Sequence, residues 1–139
     1  MTGGFVADSS VAMAWVVRSQ SSPQCDELLT GIGEGRPFIV PGLWMMEVAN
    51  ALLMLTRRKR ITREHGETAR RLLRQLAPEV DGEGPAISLD RVYDLAGQHA
   101  LSVYDAVYLE LSLRRGLPLA SRDASLRKAA GRCGVDLLA

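Results

Sequence analysis

Four carboxylates are placed where chemistry can be done. Asp8 directly follows the apolar triplet Phe5-Val6-Ala7, and Asp123 follows the apolar run 117–120 after Ser121 and Arg122. Asp105 stands three residues into the segment Ser102-Val103-Tyr104-Asp105-Ala106-Val107-Tyr108-Leu109, and Glu47 lies inside the thirteen-residue run 43–55, LWMMEVANALLML. Each has a purely structural explanation available. Asp8 and Asp123 suit helix N-caps, Asp105 suits the acid of a capping box opened by Ser102, and Glu47 suits an ion pair with an arginine. A cap accounts for one acid at a time, and does not account for acids at three further strand ends or apolar runs. If the four meet, two like charges about 4 Å apart repel by roughly 4 kcal/mol at an effective dielectric near 20, and the group needs protons or a cation. Oxygen-only ligands suit Mg2+ or Mn2+. No histidine or thiol cluster offers a zinc or copper site, since His65 and His99 are isolated in the sequence and His65 falls in an arginine-rich segment expected at the surface.

The elements that would position these acids follow from periodicity. Residues 5–7 form a short apolar strand, and Val11, Met13, Ala14, Trp15 and Val16 make a largely buried helix ending near Arg18. Ser22 caps a second helix with Pro23 in its first turn and Cys25, Leu28, Leu29 and Ile32 as its apolar stripe, before a second strand at Phe38-Ile39-Val40. Strand, helix, helix, strand implies a right-handed crossover and a parallel sheet. The run 43–55 predicts a helix buried almost all round, with Glu47 and Asn50 three apart on one face. A further helix runs from about Thr62 to Leu76, a short edge strand is possible at 79–81, and Leu89, Val92, Tyr93, Ala96 and Ala100 stripe another helix with Asp90 and Asp94 on its wet side. The helix opened by Ser102 should bury Val103, Val107 and Leu111, flanked by Ala106, Leu109 and Leu113, and stop at Gly116. Strands at 117–120 and 135–138 complete the sheet around a helix at 124–131. Strand ends of a parallel sheet share one edge, which is where open α/β sheets place their ligands. The expected fold is therefore α/β, a short parallel sheet of four or five strands flanked by helices in a single domain, 1–139.

Composition narrows the field. At 139 residues the chain can bury about two thirds of its unfolded surface without staples. Cys25 and Cys133 form no CxxC or Cys/His pattern, which argues against zinc and against a disulfide framework. No run reaches the roughly 18 to 20 apolar residues of a membrane span, and no basic segment leads into a signal-type stretch, so the expectation is a cytoplasmic protein without membrane contact. A net charge of +1 excludes a protein that coats nucleic acid by bulk charge but leaves room for a local patch. Such a patch is offered by Arg57, Arg58, Lys59 and Arg60, either as a solvated helix end or as a phosphate-contacting edge without aromatic interleaving. A receiver domain would need an acidic pair after the first strand and a late lysine, and a DxD phosphatase would need an acid where Ser10 stands.

Four blocks in order, Asp8-Ser9-Ser10 with Trp15, Pro41-x-Leu43-x-x-x-Glu47-Val48-Ala49-Asn50-Ala51-Leu52, Ser102-x-Tyr104-Asp105-Ala106-x-Tyr108-Leu109, and Leu119-Ala120-Ser121-x-Asp123-x-x-Leu126, resemble PIN domains of the bacterial VapC toxin type. That resemblance implies a three-layer α/β/α fold and a metal-dependent endoribonuclease of a toxin-antitoxin pair. In it Asp8, Glu47, Asp105 and Asp123 would hold Mg2+ or Mn2+, with Ser10, Asn50 and Ser121 as supporting polar residues. Ser121 occupies a position where the family often has threonine, and keeps the hydroxyl. The resemblance also implies an RNA substrate, a homodimer and a small VapB-type antitoxin. The competing expectation is a non-catalytic module on the same scaffold that binds RNA or regulates with an antitoxin.

Overall fold

A computed structural model describes residues 3–139. Five parallel strands form one sheet in the order β3-β2-β1-β4-β5, comprising β1 (Phe5–Ala7), β2 (Phe38–Pro41), β3 (Glu79–Asp81), β4 (Leu119–Ala120) and β5 (Leu137–Leu138). The first strand is central, with Val6 beside Ile39 on one side and Leu119 on the other. Because β1, β2 and β4 are flanked and covered, they carry no alternation: every residue of β1 and β2 is buried.

Helices α1 (Ser9–Val16), α2 (Pro23–Gly33), α3 (Leu43–Arg57) and α4 (Arg63–Leu76) pack on one another. Opposite them α7 (Val103–Arg115) lies over β1, β2 and β4, with α6 (Tyr93–His99) and α8 (Ala124–Arg132) beside it. The short α5 (Gly84–Ile87) follows β3. The result is the expected three-layer α/β/α sandwich. No helix among the described residues is long and apolar enough to cross a membrane. Ser22, Thr62 and Ser102 accept from the backbone N–H three residues on, so local caps set the starts of α2, α4 and α7. Gly116, with φ of 65°, ends α7 in the left-handed conformation that glycine adopts without a Cβ clash. Phe38 sits at the centre of an aromatic group, with ring centroids 5.8 Å from Phe5, 5.6 Å from Trp15 and 6.1 Å from Trp44.

Three expectations about burial change. In α3 only Trp44, Val48 and Leu52, each four residues on, are buried, while Met45, Met46 and Leu53 are exposed. The helix packs by one stripe, and its remaining apolar side chains form surface. In α7, Val103 and Leu113 are exposed, whereas Tyr108, Glu110 and Ser112 are buried, because the middle of this helix is covered on nearly all sides. In the segment before α6 a π turn over Ser88–Val92 inserts an extra residue into the helical repeat. Val92 and Ala96 stay buried, but Leu89 and Tyr93 turn outward, 88% and 63% exposed.

An ion-pair group that the sequence did not suggest ties β3 to α7. The guanidinium of Arg114 donates to both oxygens of buried Asp81 at 3.0 and 2.8 Å, to Glu110 at 3.1 Å and to Glu83 at 2.6 Å. Arg114 first, through hydrogen bonds and charge, holds the Asp81 carboxyl below the usual carboxylate range, against the opposing effect of burial.

Candidate functional site

Asp8 ends β1 and caps α1. Its backbone N–H donates to Ala120 at 3.0 Å, and its carbonyl accepts from the Trp44 indole at 3.3 Å, so neighbouring elements on both sides fix its backbone. The carboxylate is 5% exposed and accepts from Ser10 Oγ and Ser121 Oγ, each at 2.5 Å, and from the Val11 N–H at 3.2 Å. Burial raises its pKa above the ordinary aspartate value, and the two hydroxyls and the backbone donors pull against that rise. Two bonds cross between the segments, Ser121 Oγ to Asp8 and the Arg122 N–H to Ser10 Oγ at 2.9 Å, while Ser121 Oγ also accepts from the Asp123 N–H of its own turn at 3.0 Å. The ends of β1 and β4 are thereby stitched together, and the hydroxyl kept at position 121 is a working donor.

Asp123 caps α8, accepting from the Leu126 N–H at 2.9 Å. Asp105 sits in the first turn of α7, its N–H bonded to Ser102 Oγ at 3.1 Å. Its pKa is raised by burial first and then by the charge of Asp123. Glu47 is half-buried on α3; burial raises its pKa, and the charges of Asp105 and Asp8 raise it further. The four acids are thus linked in sequence through space, Asp8 to Glu47, Glu47 to Asp105, Asp105 to Asp123. Among the described residues, however, no three His, Cys, Asp or Glu side chains close around one point as a metal centre does. The arrangement is a file of acids.

That donor set still suits a hard divalent cation. Mg2+ keeps several waters and is held by one or two carboxylates together with substrate phosphates, so the chemistry of these donors fits it. Neither histidine joins it. Contrary to expectation His65 is not a free surface side chain, since its Nε2 is 3.0 Å from the Val16 carbonyl and ties α4 to the end of α1. Nor is His99 isolated, for its Nε2 lies 3.3 Å from Cys133 Sγ.

Asn50 is exposed one turn along α3 from Glu47. Arg57, Arg58, Lys59 and Arg60 are exposed at the far end of that helix. Ten positions separate Glu47 from Arg57 along α3, roughly 15 Å at 1.5 Å per residue. The feature missed in the sequence is Tyr108, whose hydroxyl donates to Glu47 Oε1 at 2.5 Å. Its spacing of three from Asp105 was the available signal, but hydropathy alone counts such a tyrosine as core. Next to the acids, the first turns of α3 and α7 also line an apolar groove of about 600 Å³ bounded by Leu43, Met46, Val80, Val103, Tyr104 and Val107.

Fold and site together define a compact α/β domain with acids at the carboxyl edge of its parallel sheet. The chain belongs to the PIN domain family, whose model matches residues 5–132. Among solved structures it is similar to PAE2754 from Pyrobaculum aerophilum, at 23% identity with a TM-score of 0.72 over 99% of this chain and 92% of that one. It is also similar to FitAcB from Neisseria gonorrhoeae, at 16% identity and TM-score 0.65 over 97% and 96%. VapBC2 from Rickettsia felis, bound to a DNA fragment from their promoter, matches at 7% identity and TM-score 0.65 over 96% of each chain. These likenesses establish a shared fold. No curated protein matches the chain.

Proposed function

We propose that this protein is a Mg2+- or Mn2+-dependent endoribonuclease of the VapC toxin type, acting in the cytoplasm and held in check by a small VapB-type antitoxin. The observation that carries the reading is the placement of four acids from four separate segments, Asp8 directly after β1, Asp123 after β4 at the start of α8, Glu47 in α3 after β2 and Asp105 in the first turn of α7. Negative charge beside its ligand is of no use to a protein that only binds a polyanion, whereas a phosphodiesterase uses carboxylates to hold cations. Family membership supports the nuclease class, and the likeness to VapBC2 supports an antitoxin partner.

Asp8 and Asp105 would be the principal ligands, with Glu47 and Asp123 completing the set directly or through water. A divalent cation, when bound, offsets charge on phosphate oxygens and lowers the pKa of a water molecule. The chain's own residues do the rest. Ser10 and Ser121 hold the Asp8 carboxylate in one orientation, and α7 presents Asp105 from a rigid first turn. The basic run Arg57 to Arg60 would hold adjacent phosphates without reading sequence.

Purified protein incubated with RNA should cut it with Mg2+ or Mn2+ and leave it intact with EDTA. Asp105→Asn should retain the circular-dichroism spectrum and lose cleavage to background. RNA binding without metal-dependent scission would overturn the reading in favour of a non-catalytic module.

A further inference from the structure

Glu47 is a carboxylate on a helix otherwise packed by apolar residues, and the ion pair that would be the usual remedy is missing: none of the ion pairs among the described residues includes it. Its partner is the Tyr108 hydroxyl at 2.5 Å, reaching across 61 positions of sequence from α7 to α3. The ring behind that hydroxyl is 1% exposed and belongs to the main core, so it cannot swing away. A phenol has one proton to donate, and here Glu47 Oε1 receives it. The carboxylate is thereby fixed in one orientation, with the Ser9 side chain beside both groups. Tyr108 also lies one helical turn from Asp105, so one rigid element carries both an acid and the group that aims the neighbouring acid.

We infer that Tyr108 is a positioning residue that fixes Glu47 for a divalent cation, an inference that rests on the metal-dependent reading given above. Hydrogen-bond partners behind metal-binding side chains set the orientation of those side chains, and losing one weakens metal binding about tenfold to a hundredfold. Tyr108→Phe keeps the ring, hence the core, and removes only the donor.

The test is Mn2+ binding, followed by the loss of the free-ion electron paramagnetic resonance signal, in wild type, Tyr108→Phe, Glu47→Gln and the double variant, with metal-free thermal unfolding alongside. The expected result is a dissociation constant about tenfold weaker for Tyr108→Phe, and a double variant no weaker than Glu47→Gln, because Tyr108 acts only through Glu47. Wild-type Mn2+ affinity in Tyr108→Phe, with Glu47→Gln weakened, would overturn the inference and leave the metal reading standing; a lowered melting temperature alone would then mark the hydroxyl as merely structural. Additive losses in the double variant would also overturn it. If Glu47→Gln itself binds Mn2+ as wild type does, Glu47 holds no ion and the inference falls, whereas the metal-dependent reading falls only if the wild type binds no Mn2+.

Discussion

Ser112 shows how closely side chains in α7 are constrained. Its hydroxyl is buried within the helix that carries Asp105 and Tyr108, and it has no hydrogen-bond partner. An unpaired buried hydroxyl gives up its water without return, so Ser112→Ala is expected to leave stability unchanged or raise it by up to about 1 kcal/mol in denaturant unfolding. A clear loss of stability would mean that the oxygen has a partner, such as a buried water. The acids of the site were legible in the sequence for the converse reason. Charged residues at strand ends and inside an apolar run violate the hydropathy pattern, and Asp8, Glu47, Asp105 and Asp123 each stand out by that test. Tyr108 does not, because an aromatic ring at a core position satisfies the pattern, and only coordinates reveal where its hydroxyl points. Ser112 and Glu110 escaped notice likewise, as polar residues on a helix whose covered faces could not be counted in advance.

At the scale of elements, β3 and α7 are joined by charge rather than by apolar packing alone. Removing one partner of a buried ion pair costs about 3–5 kcal/mol. Asp81→Asn is expected near the lower end of that range at pH 7, because Arg114 keeps Glu110 and Glu83. The pH dependence has a definite sign. The folded-state pKa of Asp81 lies below its unfolded value of about 3.9, so its contribution is complete above that value and disappears as pH falls through the folded value. The stability gap between wild type and Asp81→Asn, followed by urea unfolding, should therefore be constant from pH 7 to about 5 and close below pH 4. A gap that widens on acidification would contradict the assignment. Periodicity located α6 and α7 but neither the short α5 nor the π turn over Ser88–Val92, since a single inserted residue leaves no mark in composition and shifts the face only of what lies beside it.

Over the whole molecule, the parallel order of strands followed from alternating strands and helices, and the three layers followed with it. What the sequence could not disclose is which apolar residues remain uncovered. Met46, Val80 and Tyr104, exposed by 67%, 49% and 63%, border the groove beside the acids at the β3 edge. Apolar surface gathered around one groove, with few charges among its lining residues, suits contact with another chain, and the homodimer that the resemblance implies would seat a second copy there. Tyr104→Glu should then weaken self-association by about a hundredfold in sedimentation equilibrium, the cost of burying a charge in an apolar contact, with secondary structure intact. An unchanged dimer would place the contact elsewhere.

The bond between Ser121 and Asp8 joins residues 113 positions apart. A ribosome that has translated the first hundred codons therefore holds a polypeptide still lacking Asp105, Asp123 and one of the two hydroxyls that steady Asp8. The edge of the sheet that carries these acids is thus finished only when synthesis is nearly over.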